Sequence, residues 1–401
     1  MSGGGEVRSQ AEDPALSELA DAARASGSFA LDTEFMGEGC YRTLLCLVQL
    51  ATPQAAGRAE QIELLDPLER DMAGAPLASI LANPDVEVVV HAGRQDIALV
   101  RRRFACEVTN VFDTQVAAGF AGLGAQTSYE TLLAELLGVR IAKSASFTRW
   151  DTRPLTAEQR AYAREDVVHL LELAAELERR LVALGRLQWA REECEPLQNA
   201  SDERDPGVVF ERLPRVRTLS ASARPIAREL VQWREQVAAR ADRPVQSILS
   251  DPALLEIARR KPSSRASLEQ IRGAGGGGVR RRAHELIAAV ERGRARPPEP
   301  PSEAVRAPVA RPEDAPLIAL AEALVRAHAL EAGIAYELIA SRADLQAIVT
   351  ARRTSEREPD VRTLRGWRRE LVGEELLRLL DGHVSLSVVG GGLTVAGRSR
   401  A

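Results

Sequence analysis

The first half of the chain alternates short apolar runs with polar segments, whereas the second half carries apolar residues at helical spacing. Strand-like runs, rich in aliphatic and β-branched residues, occur at 29–35, 44–52, 61–66, 86–92 and 109–115. Helical patterns lie between or after the later runs, at 68–82, 93–104 and 128–138. Three strands followed by alternating helices and strands predict an α/β domain with a mixed sheet over residues 25–200.

A long helical pattern over residues 156–184 closes this predicted domain. Thr156 is a favoured N-cap residue and Gly185 a favoured stop, so a single helix is expected between them. Upstream of the domain, residues 1–24 include a glycine-rich stretch and no apolar signal-peptide core. They are expected to form a flexible tail.

Beyond residue 200 the pattern is helical throughout. Four helical segments between 218 and 293 predict a domain over residues 211–294, and residues 295–311 form a Pro-rich linker. A second helical domain is predicted over 312–385 and a C-terminal tail over 386–401, with a small hairpin as the alternative for the tail's apolar stretch. The chain therefore combines an α/β domain with all-α domains.

The amino-acid composition indicates how many domains to expect and in which compartment the protein functions. Apolar residues make up 45% of the 401, enough for two or three domains, and no run approaches the roughly 18–20 apolar residues of a membrane span. The four cysteines show no C-x-x-C spacing, which indicates a reducing compartment and hence the cytoplasm. No membrane association is expected, and no obligate protein partner is indicated.

The net charge of −4 conceals an asymmetry between the two halves. Residues 201–401 contain 34 basic and 27 acidic side chains, whereas residues 1–200 contain 19 basic and 30 acidic ones. This division suits carboxylates that hold metal in the first half and arginines that bind a polyanion in the second. Chance surface composition is the alternative explanation.

Two carboxylates interrupt the apolar run FALDTEF at the end of the first predicted strand. Residues two apart on a strand point to the same face, so Asp32 and Glu34 share one. Like charges this close repel each other, and partial burial adds to the cost of keeping both ionised. A bound cation would remove both costs; a frayed strand end with two solvated acids is the alternative.

Further carboxylates occur at the ends and faces of other predicted elements. Asp96 follows the strand at 86–92, and Asp166 lies on the long helix one turn after Tyr162. None of the acids has a Lys or Arg partner in its local pattern. Four carboxylates in one cleft would bind two divalent cations such as Mg²⁺ or Mn²⁺, which clamp the attacking and leaving oxygens of a phosphodiester.

Three stretches resemble the successive motifs of the ribonuclease D family: FALDTEF with LCLVQLAT, HAGRQD with FDTQVAAGF, and WDTRPLTAEQRAYAREDVVHLLEL. The family belongs to the DEDD 3′→5′ exonucleases, so the resemblance implies an RNase H-like fold and release of 5′-mononucleotides from a 3′ end. One branch of this superfamily has a His five residues before the last Asp. Here that position is Ala161 and Tyr162 is present, so the chain resembles the Tyr branch.

The resemblance implies a role for each of these residues. Asp32 would bridge both metal ions, Glu34 and Asp166 would complete the site that holds the nucleophilic water, and Asp96 would support the second ion. Tyr162 would orient the attacking water. Because an unperturbed tyrosine titrates near 10, its role would be mainly to position that water.

Five further residues are candidate substrate contacts: Phe35, Met36, His91, Gln95 and Lys143. Phe35 and Met36 would stack on or wedge against the terminal base, and Lys143 would contact the terminal phosphates. For these candidate contacts, a purely structural role is the alternative explanation. These are core packing for Phe35, satisfaction of backbone groups for His91 and Gln95, and an ordinary loop position for Lys143.

The helical half completes the resemblance. Residues 230–273 resemble the HRDC domain, and residues 211–294 contain 18 basic and 9 acidic side chains, which suits phosphate contacts; a basic spacer is the alternative. Residues 312–385 resemble a diverged second copy. The implied function is a metal-dependent 3′→5′ exoribonuclease that trims structured RNA with a free 3′ end, such as tRNA precursors. The rival functions are a 3′→5′ DNA exonuclease and a catalytically inactive RNA-binding scaffold.

Overall fold

The structure, a computed structural model, describes residues 14–53, 61–69, 74–141, 149–300, 311–354 and 357–397. These residues form two compact units. The first unit contains residues 14–34, 47–200 and 311–397, and the second contains residues 35–46 and 201–300. The α/β part of the chain and its C-terminal residues therefore belong to the same unit.

The first unit is built on a five-stranded sheet with the order β3–β2–β1–β4–β5. Its strands are β1 (Ser28–Met36), β2 (Leu44–Thr52), β3 (Gln61–Leu65), β4 (Glu87–Val90) and β5 (Val111–Asp113). β2 and β3 are antiparallel, whereas β1, β4 and β5 run parallel. The predicted α/β fold with a mixed sheet is confirmed, and β1 has a hydrogen-bonded neighbour on each side.

Helices accompany this sheet. They are α1 (Pro14–Ser26), α2 (Ala75–Leu81), α3 (Arg94–Phe104), α4 (Thr114–Phe120), α5 (Tyr129–Leu132), α6 (Ala157–Val168), α7 (Leu170–Ala183) and α8 (Leu187–Cys194). A π-helical turn, Leu133–Leu137, extends α5, and a 3-10 helix, Glu195–Asn199, follows α8. α7 and α8 pack against α4 and against β4 and β5, so the parallel strands are buried under helices.

The N-terminal segment is helical where it was expected to be a tail. Within α1, residues Leu16, Leu19, Ala20 and Ala23 are buried. Their spacing of three and four residues forms one apolar helix face, which packs near α2 and β3. The predicted flexible tail is therefore wrong for residues 14–24, while residues 1–13 lie outside the described part of the chain.

The long helix predicted at 156–184 is two helices. His169 has φ −107° and ψ 4°, which ends α6 at Val168 before α7 begins at Leu170. Thr156 caps α6 as predicted, within a capping box that it forms with Gln159. The break separates a helix with few buried residues from α7, whose buried leucines pack into the core.

The second unit is helical and has its own core. Its helices are α9 (Pro206–Glu211), α10 (Arg224–Ala241), α11 (Val245–Ile248), α12 (Asp251–Arg260), α13 (Arg265–Glu269), α14 (Gly277–Arg281) and α15 (Ala283–Arg294). α10 lies at the centre and contacts α9, α11, α12 and α15. Residues 35–46, which connect β1 to β2, belong to this unit, with Tyr41 packed against its apolar core.

The C-terminal residues share a hydrophobic core with the α/β part. They form α16 (Asp314–Ala332), α17 (Tyr336–Ile339), α18 (Arg342–Thr354), α19 (Gly366–Arg368), α20 (Glu374–Leu380) and an antiparallel hairpin of β6 (Val384–Val389) and β7 (Gly392–Gly397). The second helical domain expected at 312–385 is thus not an independent unit, and the described part of the tail is the hairpin. No helix in the described ranges is both long and apolar enough to cross a membrane.

Candidate active site

The end of β1 carries the first two predicted site residues. Asp32 and Glu34 are both partly buried, and Thr33 between them is buried, as the alternation of a strand requires. Burial, and then the carboxylates of Asp96, Asp166 and Glu34, raise the pKa of Asp32 well above its usual range. Burial and the same neighbours, Asp166 and Asp96, raise the pKa of Glu34 to about 8.

Asp96 is supplied by the first turn of α3, directly after β4. The turn between them is tight: Ala92 has φ 54°, and a Cβ on Gly93 would lie 2.4 Å from Cβ of Val90. A left-handed conformation costs a residue such as alanine about 1–2 kcal/mol, so this turn needs support from elsewhere. It positions Asp96 at a helix N-terminus, where the helix dipole favours a negative charge.

Asp113 provides that support. Its Oδ1 accepts hydrogen bonds from the backbone amides of Ala92 at 3.0 Å and Gln115 at 2.8 Å, and its Oδ2 accepts one from Gly93 at 3.0 Å. It therefore caps α4 and fixes the turn before α3 at the same time. The turn that Asp113 holds is the one from which Asp96 projects.

Asp96 is held directly as well. The hydroxyl of Thr33 donates a hydrogen bond to Oδ1 of Asp96, which joins α3 to the middle strand of the sheet. Burial raises the pKa of Asp96 to about 6, although the bond from Thr33 acts in the opposite direction. The sequence did not predict the bond between Thr33 and Asp96 or the bonds between Asp113 and the β4–α3 turn, because each bond joins residues that lie far apart in sequence.

α6 supplies the fourth carboxylate and the tyrosine. Tyr162 and Asp166 lie one turn apart, and the Tyr162 side chain hydrogen-bonds to the Asp166 carboxylate. Burial nevertheless raises the pKa of Asp166 to about 7. The ring of Tyr162 lies 5.9 Å from the ring of the buried Trp150, and Oδ2 of Asp166 is buried with no hydrogen-bond partner among the described residues.

The four carboxylates are thus close enough for their charges to affect one another's pKa values. Asp32 and Glu34 each respond to the charges of Asp96 and Asp166, although the four come from three separate elements. Within the residues that the structure describes, no Lys or Arg forms an ion pair with any of them, and no three ligating side chains already close around one point. A buried cluster of acidic oxygens, one of them unpartnered, suits hard divalent cations.

The predicted substrate contacts divide into three groups. Phe35 is 38% exposed, so core packing is wrong for it, and Met36 is half-buried beside it. His91 is half-buried, with Nδ1 2.9 Å from Oγ1 of Thr114, and Gln95 is half-buried on the first turn of α3. Lys143 lies outside the described residues.

Tyr129 is a residue beside the site that sequence reasoning missed. Its ring centroid lies 5.7 Å from that of His91, and its hydroxyl is buried with no hydrogen-bond partner in the described part of the chain. Burial, and then the Asp166 carboxylate, raise the pKa of Tyr129, and the backbone of His169 acts in the opposite direction. Ser128, which caps α5, was the only local signal of its placement.

The fold and two family models define the class of protein, a 3′→5′ exonuclease joined to an HRDC domain. The family model described as 3′–5′ exonuclease matches residues 8–182, and that of the HRDC domain matches residues 223–290. The match to the HRDC model falls within the second unit. The exonuclease fold implies a dependence on divalent metal ions.

Relatives of known name specify the family. The chain is 38% identical to ribonuclease D of Granulibacter bethesdensis over 94% of this chain and 93% of that protein, and 36% identical to ribonuclease D of Acidiphilium cryptum over the same shares. The crystal structure of Escherichia coli RNase D, an exoribonuclease involved in structured RNA processing, matches with a TM-score of 0.77 and 28% identity, over 92% of this chain and 97% of that one. The chain belongs to the ribonuclease D family and is a 3′→5′ exoribonuclease, which confirms the resemblance.

Proposed function

We propose that Asp32, Glu34, Asp96 and Asp166 hold two divalent cations, Mg²⁺ or Mn²⁺, and that Tyr162 acts with them in phosphodiester hydrolysis. The observation that carries this proposal is the convergence of four carboxylates, Asp96 buried and the other three partly buried, for which the described residues provide no basic partner. When bound, such ions activate water and neutralise charge on the phosphate. Oδ2 of Asp166 has no hydrogen-bond partner among the residues that the structure describes, so it could accept such an ion.

Side chains of the protein would orient the attacking water and the 3′-terminal nucleotide. The hydroxyl of Tyr162 donates a hydrogen bond to the Asp166 carboxylate, and this bond fixes the direction of the hydroxyl. It would orient the attacking water rather than remove a proton from it by itself. Phe35 and Met36, at the end of β1, would contact the 3′-terminal nucleotide, since Phe35 exposes an aromatic surface on which a base can stack.

The substrate that we propose is structured RNA with a free 3′ end, tRNA precursors in particular, with release of 5′-mononucleotides. The similarity to an exoribonuclease of structured RNA processing supports this choice. The helical unit supports it too, because residues 211–294 carry twice as many basic as acidic side chains, 18 against 9. A cytoplasmic location is part of the proposal, since Cys40, Cys46, Cys106 and Cys194 are all free thiols.

The test is hydrolysis of a 3′-tailed, tRNA-like RNA and a DNA of the same sequence, with Mg²⁺, Mn²⁺ or EDTA. We expect wild type to produce a one-nucleotide ladder from RNA that EDTA abolishes. Asp166→Asn should reduce the rate by at least about 100-fold, because it removes a metal ligand. Asp21→Asn is the matched control, since Asp21 is an exposed partner of Arg24 on α1 and should leave the rate unchanged.

Two outcomes would contradict the proposal. Digestion of DNA as fast as RNA would identify the substrate as nucleic acid of either kind and would reject the RNA specificity. An Asp166→Asn variant with the full rate of wild type would show that these carboxylates do not form the metal site.

A further inference from the structure

The loop that follows the catalytic strand is bound by the helical unit. The hydroxyl of Tyr41 donates a 2.8 Å hydrogen bond to Oε2 of Glu235 on α10. The backbone amides of Tyr41 and Arg42 point to Oδ1 of Asp242, at 3.0 and 3.5 Å. These contacts join residues 35–46 to a helix about two hundred positions later in the sequence.

Glu235 is a buried acceptor for the Tyr41 hydroxyl. Its side chain is 3% exposed, so its charge needs partners, and Arg204 supplies two hydrogen bonds, at 2.8 and 3.1 Å, to its two oxygens. The Arg204 guanidinium also lies 5.8 Å from the ring centroid of Tyr41. Tyr41 therefore donates a further hydrogen bond to a buried carboxylate that Arg204 already pairs with, and removing the Tyr41 hydroxyl removes one of the two hydrogen bonds to Oε2 of Glu235.

Asp242 has a position that its own helix disfavours. It follows the last residue of α10 with φ 43°, a left-handed conformation that aspartate adopts at a lower cost than most residues but at a higher cost than glycine. A negative charge at the C-terminal end of a helix is also unfavourable with respect to the helix dipole. The bonds to the amides of Tyr41 and Arg42 are what offset these two costs.

The loop leads directly from the candidate site. Glu34 is followed by Phe35 and Met36, and only four residues separate Met36 from Tyr41. Two of these four are glycines, and Gly39 has φ 78°, so the segment does not hold its own shape as a helix or strand would. A fixed point at Tyr41 therefore limits where Phe35 and Met36 can lie.

We propose that Tyr41, Glu235 and Asp242 are positioning residues for the exonuclease reaction: by holding the loop after Glu34, they place Phe35 and Met36 for the 3′-terminal nucleotide. Residues 35–46, which belong to the second unit, would thereby take part in recognition of the RNA end. The inference rests on the proposed function at one point, the contact of Phe35 and Met36 with that nucleotide.

The test compares Glu235→Gln and Tyr41→Phe with Glu285→Gln in the full chain. Glu285 is a matched control because its Oε2 accepts a 2.8 Å bond from Nε1 of Trp233 in the same unit, and no hydrogen bond joins it to the described residues 35–46. The substrates are a trinucleotide RNA and a tRNA-like RNA with a 3′ tail. We expect both cluster variants to raise KM about tenfold on both substrates with kcat within twofold, since contacts that precede chemistry are lost, and the control to match wild type.

Asp242 gives a second pair of variants. Asparagine keeps a side-chain oxygen acceptor and tolerates the left-handed conformation, so Asp242→Asn should retain the wild-type KM. Asp242→Ala removes the acceptor and should raise KM as Tyr41→Phe does. This pair keeps the inference testable if Glu235→Gln fails to fold.

Hydrogen exchange of residues 35–46 separates this inference from the proposed function. Faster exchange in the cluster variants but not in Glu285→Gln, together with the KM changes, would support positioning. A KM increase confined to the tRNA-like RNA would overturn the inference, because the cluster would then act through RNA binding by the helical unit. Unchanged exchange and unchanged KM would overturn it as well, whereas an inactive wild type with altered exchange would reject only the proposed function.

Discussion

At the scale of single residues, the site brings together four carboxylates with which no Lys or Arg among the described residues forms an ion pair. Burial raises the pKa values of Glu34, Asp96 and Asp166, and the carboxylates raise those of Asp32 and Glu34 further. Such groups lower the stability of the metal-free protein, which is a common cost of a binding site. A divalent cation, which we propose that these carboxylates bind, would offset that cost.

The cost of burying these carboxylates predicts that Asp166→Asn changes the stability of the protein in EDTA. Asparagine is neutral and keeps an oxygen for the bond from Tyr162, so the variant should be more stable than wild type by about 1–2 kcal/mol, or a few degrees in Tm. Added Mg²⁺ should raise the Tm of wild type more than that of the variant. Thermal melts with and without EDTA measure both effects, and an equal response to Mg²⁺ would exclude Asp166 as a ligand.

Two tyrosines should respond oppositely to removal of their hydroxyls. The Tyr129 hydroxyl is buried without a partner among the described residues, so Tyr129→Phe should leave the free energy of unfolding unchanged or raise it by up to about 1 kcal/mol. Tyr41 donates to the buried Glu235, so Tyr41→Phe should lower it by about 1 kcal/mol. Chemical denaturation of both variants checks the prediction; a large loss for Tyr129→Phe would reveal a bond that this hydroxyl makes.

At the scale of elements, the junction of β4, α3, β5 and α4 depends on one carboxylate. Asp113 ends β5, caps α4 and binds two amides of the turn before α3. That turn contains the left-handed Ala92, and it leads to Asp96 at the start of α3. A residue outside the cluster of four acids therefore decides where one of them lies.

Asp113→Ala should consequently cost more than the loss of an ordinary helix cap. We expect a decrease in the free energy of unfolding of about 2–3 kcal/mol, together with a loss of exonuclease activity that exceeds the folding defect. Asp205→Ala is the control, because Asp205 caps only α9, through amides at 2.6 and 3.2 Å, and should cost about 1 kcal/mol. Equal losses from the two variants would contradict the special role of Asp113.

At the scale of the whole molecule, the C-terminal residues complete the core of the nuclease unit. Trp367 stacks on Trp189 at 5.2 Å between ring centroids and meets Phe120 edge-on at 5.1 Å. Arg186 joins the same region through the carbonyls of Phe120 and Ala332. Removing residues 311–397 would therefore expose apolar surface of the nuclease rather than detach a separate domain.

Two tryptophans of similar burial test this division into units. Trp367 is 4% exposed in the first unit and Trp233 is 5% exposed in the second. Each change to alanine should cost about 3–5 kcal/mol, but Trp367→Ala should increase hydrogen exchange across β1, β4 and β5, and Trp233→Ala across α10 and α15. Destabilisation of the helical unit alone by Trp367→Ala would contradict the shared core.

Much of the site was predictable because it depends on local periodicity. The strand period of two gave Asp32 and Glu34 one face, and the helix period gave Tyr162 and Asp166 adjacent turns. The strand β2 lies where its apolar run predicted it. His169 shows the limit of such reasoning, because the apolar spacing continues through it although its backbone, with φ −107° and ψ 4°, ends one helix there.

The sequence by itself therefore determined the strands, the capped helix and the residue types of the site, because these follow from propensity and spacing within a few residues. Only the tertiary structure decided which acids meet, that Asp113 fixes the turn before Asp96, that the C-terminal residues join the nuclease core, and that Tyr41 is bound by α10. Each of these is a contact between positions tens to hundreds of residues apart. Local patterns do not encode such contacts, since they depend on which buried surfaces and charges find partners when the whole chain packs.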